Sequence, residues 1–136
     1  MRFVYDDGGH RIYGGCATGD CAIRAMSIVT GKPYDEIKQL VLYYAQFEKG
    51  KSNRSDGHSY TRLITVRKVM NRLGWQFVDI RKKPLAFSAE NWDDDNDYLI
   101  WVPWHYTAVI HGVIHDMFDP SARETEIVKG YWYKKE

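Results

Sequence analysis

The chain has 136 residues, 44% of them hydrophobic and 27% charged, with a formal net charge of +1. That length supports one domain with a real core and leaves no room for a second, so residues 1–136 are expected to form a single unit. A charge so near zero gives no bulk drive toward nucleic acid or anionic lipid, and no apolar run approaches the roughly 18–20 residues that span a bilayer. The opening Met1-Arg2-Phe3-Val4-Tyr5-Asp6-Asp7 carries no apolar stretch of the secretory kind. Two cysteines, Cys16 and Cys21, do not make a disulfide scaffold. These features lead us to expect a cytoplasmic protein with reduced thiols.

Gly8, Gly9, Gly14, Gly15 and Gly19 mark residues 8–19 as a loop. Asp20 follows as an N-cap whose carboxylate is expected to accept from first-turn N–H groups. A helix over 21–30 comes next, with Ala22, Ile23, Ala25, Met26, Ile28 and Val29 spread round most of its circumference, as in a helix buried at the centre of a domain. Gly31 ends it. Pro33 opens a second helix to about Phe47, with Ile37, Leu40, Val41 and Tyr44 at helical spacing. Residues 49–57 are polar and read as a loop.

A third helix is expected from about Tyr60 to Leu73, with Val66, Val69, Met70 and Leu73 on one side and Gly74 as its stop. Its Arg62, Arg67, Lys68 and Arg72 fall mostly on the other faces. With Lys82 and Lys83 they could meet phosphates, but a solvated face accounts for them without the interleaved aromatics that nucleic-acid binding would use. Strands are expected over 75–81, 98–103, 105–110, 113–118 and 127–133. Residues 82–97 are read as irregular, ending in the solvated acidic run Asp93-Asp94-Asp95-Asn96-Asp97. Helices first and strands afterwards indicate an α+β fold, an antiparallel sheet packed on N-terminal helices.

Cys21 then falls at a helix N-terminus, where free N–H groups and the helix dipole favour a thiolate. His105 begins a hairpin strand and can serve as its base. A two-residue turn at His111-Gly112 sets Ile110 opposite Val113, which puts His105, Thr107, Val109, Ile114, Asp116 and Phe118 on one face. Asp116 is then diagonal to His105 and is the preferred orienting acid. Asp119 lies on the other face and is second choice, because a one-residue slip reverses the faces. The backbone N–H of Cys21 would supply part of an oxyanion hole.

Each of these residues also has a plain structural reading. Cys21 can be core packing, His105 a strand-edge residue, and Asp119-Pro120-Ser121 a turn. Cys16, in a loop without a cap, reads as packing, with a resolving thiol as the other option. A zinc site from Cys16, Cys21, His105, His111 and His115 is disfavoured. Its Cys-x4-Cys spacing is wide, the turn occupies His111, and His105 and His115 point to opposite faces. No metal or cofactor is expected.

Gly19-Asp20-Cys21-Ala22-Ile23-Arg24-Ala25, then Thr30-Gly31-Lys32-Pro33-Tyr34-Asp35-Glu36, resembles the opening of small proteins encoded by bacteriophages and prophages. Arg72-Leu73-Gly74-Trp75, the block from His105 to Asp116 running on to Asp119-Pro120-Ser121, and Gly130-Tyr131-Trp132 fit the same pattern. The order Cys, His, Asp also resembles papain-like cysteine peptidases, including the bacteriocin-processing type with Asp-Cys at the helix start. That resemblance implies a papain-like fold, with a central Cys-bearing helix on an antiparallel sheet. It also implies Cys21 as nucleophile, His105 as base, and Asp116 or Asp119 as the third member. Such enzymes usually place a Gln several residues before the Cys for the oxyanion hole. Gly14-Gly15-Cys16-Ala17-Thr18 has neither Gln nor Asn, which leaves Thr18 or another backbone N–H as the substitute.

The implied activity is hydrolysis of an amide or related acyl bond in a protein or peptide substrate, in a host cytoplasm if the chain is phage-encoded. Two alternatives use the same scaffold. One is an inactive interaction module that binds a host protein; the other is an acyltransferase or deamidase with the same three residues.

Overall fold

The computed structural model describes residues 1–9, 20–48, 61–122 and 126–135. Cys16, Thr18 and the rest of the glycine-rich segment 10–19 lie outside them, as does the polar loop expected over 49–57. The described elements form an α+β fold of three helices and a mostly antiparallel six-stranded sheet.

Helix α1 (Cys21–Thr30) has the expected bounds. Ala22, Ile23, Ala25, Met26 and Val29 are all buried, because apolar residues round most of a helix can be shielded only at the centre of a domain. Gly31, at φ +75°, ends the helix in the left-handed conformation and returns its N–H to the Ser27 carbonyl at 3.0 Å. Helix α2 (Tyr34–Ala45) starts one residue later than expected, with Pro33 as its extended cap. It buries Ile37 and Val41. Helix α3 (Leu63–Arg72) buries Thr65, Val66, Val69 and Met70, and its outer surface carries Ile64, Asn71 and the basic Arg67, Lys68 and Arg72.

The strands are β1 (Arg2–Tyr5), β2 (Trp75–Asp79), β3 (Leu85–Ala86), β4 (Asp97–Val102), β5 (His105–Ile110), β6 (Val113–Asp116), β7 (Ile127–Val128) and β8 (Gly130–Lys134). The main sheet runs β1-β6-β5-β4-β8-β2, and β3 pairs with β7 in a separate ribbon. Four points depart from expectation here. Residues 2–5 form an unforeseen strand whose four side chains are all exposed, so they carry no burial signal. That strand pairs parallel with β6, so the sheet is not wholly antiparallel. The segment 82–97 is not wholly irregular, since it contains β3 and a short 3-10 turn, and the last expected strand is split at Lys129 into β7 and β8.

The hairpin β5–β6 has the expected register, with Ile110 opposite Val113, Val109 opposite Ile114 and Ala108 opposite His115. His111 (φ +47°) and Gly112 (φ +76°) both take positive φ, as a two-residue turn matched to the strand twist requires. The core lies on both faces of the sheet. Tyr106, Ala108, Leu99 and Trp132 join the helices in one cluster. Ile100, Val102, Val109, Ile114 and Val128 join Phe87 and Trp92 in the other. Alternation along β4 and β5 produces the two sets.

Candidate active site

Cys21, His105 and Asp116 come from the ends of three elements: the first residue of α1, the first of β5 and the last of β6. His105 and Asp116 share the strand parity of Val109 and Ile114, whereas Ala108, between them in phase, packs with α1. The imidazole and the thiol therefore meet at the strand ends, where the N-terminus of α1 arrives.

His105 Nε2 and Asp116 Oδ2 are 2.6 Å apart, and both side chains are nearly buried. The other Asp116 oxygen, Oδ1, accepts the N–H of Met117 at 2.7 Å and lies 3.9 Å from Arg24 Nη2. Cys21, a free and half-buried thiol, stands near enough to His105 to act on its titration. With Nε2 engaged by the carboxylate, Nδ1 is the nitrogen left for the sulfur. Burial by itself would push the imidazolium down. The hydrogen bond to Asp116, the nearby Cys21 thiol and the negative charge of both partners outweigh it and carry His105 up to about 9. Beside it, burial and then the charge of Cys21 raise the Tyr106 phenol well above its ordinary value.

Asp20 departs from the expected cap. Its carboxylate makes no side-chain cap bond; it is fully buried, pairs with Arg24 and accepts the Tyr34 hydroxyl at 2.6 Å. A carboxylate without water is held far better by a guanidinium than by neutral amides, so the pair prevails over the cap. Its Tyr34 partner titrates far above the usual range, chiefly through burial and then through this bond.

Asp119 serves the following turn: Oδ1 accepts both the N–H of Ser121 at 2.9 Å and its hydroxyl at 2.6 Å. It lines, with His105, a cleft of about 340 Å³ walled by Val102, Trp104, Phe118 and Glu126. Phe118 stacks on the imidazole with ring centroids 4.7 Å apart. Of the expected oxyanion donors, the Cys21 N–H belongs to the first helical turn, and Thr18 lies outside the described residues.

The other two described histidines are placed elsewhere. His111 sits in the hairpin turn with Nδ1 3.0 Å from the Asp94 carbonyl, and His115 is 3.5 Å from Asp6. Among the described residues, no group of three His, Cys, Asp or Glu side chains is arranged to hold a metal ion, and no helix is long and apolar enough to cross a membrane.

Sequence reasoning passed over Arg24, although its i,i+4 spacing from Asp20 was a readable signal. Neither a protein-family model, nor a curated protein, nor a solved structure matches the chain.

Proposed function

We propose that the protein is a small papain-like thiol hydrolase that cleaves an amide or related acyl bond in a protein or peptide. One observation carries this reading: Asp116 holds His105 Nε2 at 2.6 Å while the Cys21 thiol stands close enough to raise the imidazole's pKa. Cys21 attacks the acyl carbon as the thiolate, and His105 passes its proton to the leaving group. Water then cleaves the thioester with His105 as base, and Asp116 stabilises the imidazolium throughout. The Cys21 N–H is the oxyanion donor contributed by α1. The substrate is proposed to approach along the cleft beside His105. The resemblance to phage-encoded proteins adds a proposed host-cytoplasmic site of action.

The test is alkylation of Cys21 by iodoacetamide at pH 6, followed on the Cys21-containing peptide by mass spectrometry. A reactive ion pair reacts at least tenfold faster than a free cysteine, and His105→Ala removes that excess. Slow labelling indifferent to His105 would sink the reading. The interaction-module alternative, which the lack of a Gln or Asn at 14–18 favours, would then stand in its place.

A further inference from the structure

Resting on the thiol-hydrolase reading, we infer that Arg24 is a positioning residue that ties the Cys21-bearing helix to the Asp116 carboxylate and so fixes His105 against the thiol. Arg24 lies one turn below Cys21 on α1, and its guanidinium is divided between two carboxylates. Nη1 pairs with Asp20, its i−4 neighbour, and Nη2 points to Asp116 Oδ1 across the helix–sheet boundary. Asp20 is held in turn by the Tyr34 hydroxyl, and all three charged side chains are buried or nearly so.

The consequence follows from carboxylate geometry. Asp116 can keep Oδ2 in line with His105 Nε2 only if rotation about its last bond is blocked. Oδ1 is held on one side by the Met117 N–H at 2.7 Å, and on the other it faces the Arg24 guanidinium at 3.9 Å, a charge contact without a hydrogen bond. Without the guanidinium, one backbone bond remains to resist that rotation, and two buried carboxylates lose the cation they share. The imidazole plane is then less well defined, and with it the direction of Nδ1 toward the sulfur. Arg24 Nε has no hydrogen-bond partner among the described residues, as expected where the two Nη groups dictate how the plane lies. Helix stability alone would need only the Asp20–Arg24 pair. The second arm, toward Asp116, is what links the two halves of the site.

The experiment compares the iodoacetamide rate at Cys21 at pH 6 with that at pH 9.5, in the intact protein and in Arg24→Gln, Arg24→Lys and His105→Ala. The ratio of rates reports the His-dependent reactivity and is insensitive to a general loss of stability, provided circular dichroism shows a folded chain. A positioning role lowers the ratio threefold or more in R24Q, with R24K between it and the parent. A smaller change in folded R24Q, alongside a tenfold fall in H105A, overturns the inference and leaves the hydrolase reading intact. No fall in H105A overturns both. Should R24Q not fold, R24K decides: a ratio below the parent's supports the inference and a ratio equal to the parent's overturns it, since an ammonium keeps the charge and loses the fork.

Discussion

A Cβ added to Gly8 would stand 2.7 Å from the carbonyl oxygen of Arg24. The chain leaving β1 therefore lies directly on the helix that carries Cys21. The same segment reaches the other half of the site, because Asp6 donates its N–H to the Asp116 carbonyl at 2.9 Å. Gly8 has φ +59°, so a side chain there is strained as well as obstructed by backbone. Gly8→Ala is expected to destabilise the fold by about 2 kcal/mol, read as a lower denaturant midpoint at unchanged slope. Faster amide exchange along β1 should accompany it.

His105 gives stability a defined dependence on pH. Its folded value, about 9, stands above the ordinary unfolded value of about 6.5, so the folded state holds the proton more tightly. Its contribution is complete below about pH 6.5, on the order of 3 kcal/mol, and is lost as pH rises through 9. Urea unfolding at pH 6 and at pH 9.5 should show that decline, and His105→Gln should flatten it. An equal decline in the variant would assign the slope to other groups.

Asp116 and Asp119 are separated by their partners, His105 for one and Ser121 for the other. Asp116→Asn should return the imidazole toward its ordinary range in an NMR titration and reduce Cys21 alkylation at pH 6 at least tenfold. Asp119→Asn should leave both within about twofold and remove roughly 1 kcal/mol of stability from the turn. The reverse pattern would move the third role to Asp119.

Much of this arrangement was legible in the sequence, for identifiable reasons. The bounds of α1 are written by Gly31 and by apolar residues that cover most of its circumference. The β5–β6 register is written by His111-Gly112, since only one pairing follows from a two-residue turn, and that pairing brings Asp116 near His105. What escaped is what local pattern does not encode. Strand β1 has no buried side chain, so its parallel pairing with β6 is set by backbone bonds alone. Asp20 looked like a cap because capping is a local property, while its burial and its bond to Tyr34 arise from packing α2 on α1. The arrival of α1 at the strand ends is likewise tertiary, and strand parity by itself would have set His105 on the face opposite Ala108.

Gly130 supplies a last prediction, on the strand that joins β4 to β2. A Cβ there would meet Phe77 Cε1 at 2.7 Å and Trp101 Cε3 at 3.1 Å, one ring from each neighbouring strand. Neither ring can yield easily: Phe77 packs on Trp132 with centroids 4.4 Å apart, and Trp101 lies under both Arg81 and Lys129. Gly130→Ala should therefore destabilise by about 1–3 kcal/mol through overpacking, although alanine is otherwise the better strand residue. Trimming the obstructing ring should recover part of the loss, so G130A combined with Phe77→Leu should lose less than the sum of the two single changes. Strict additivity in that cycle would show that the Phe77 ring is not what requires the glycine.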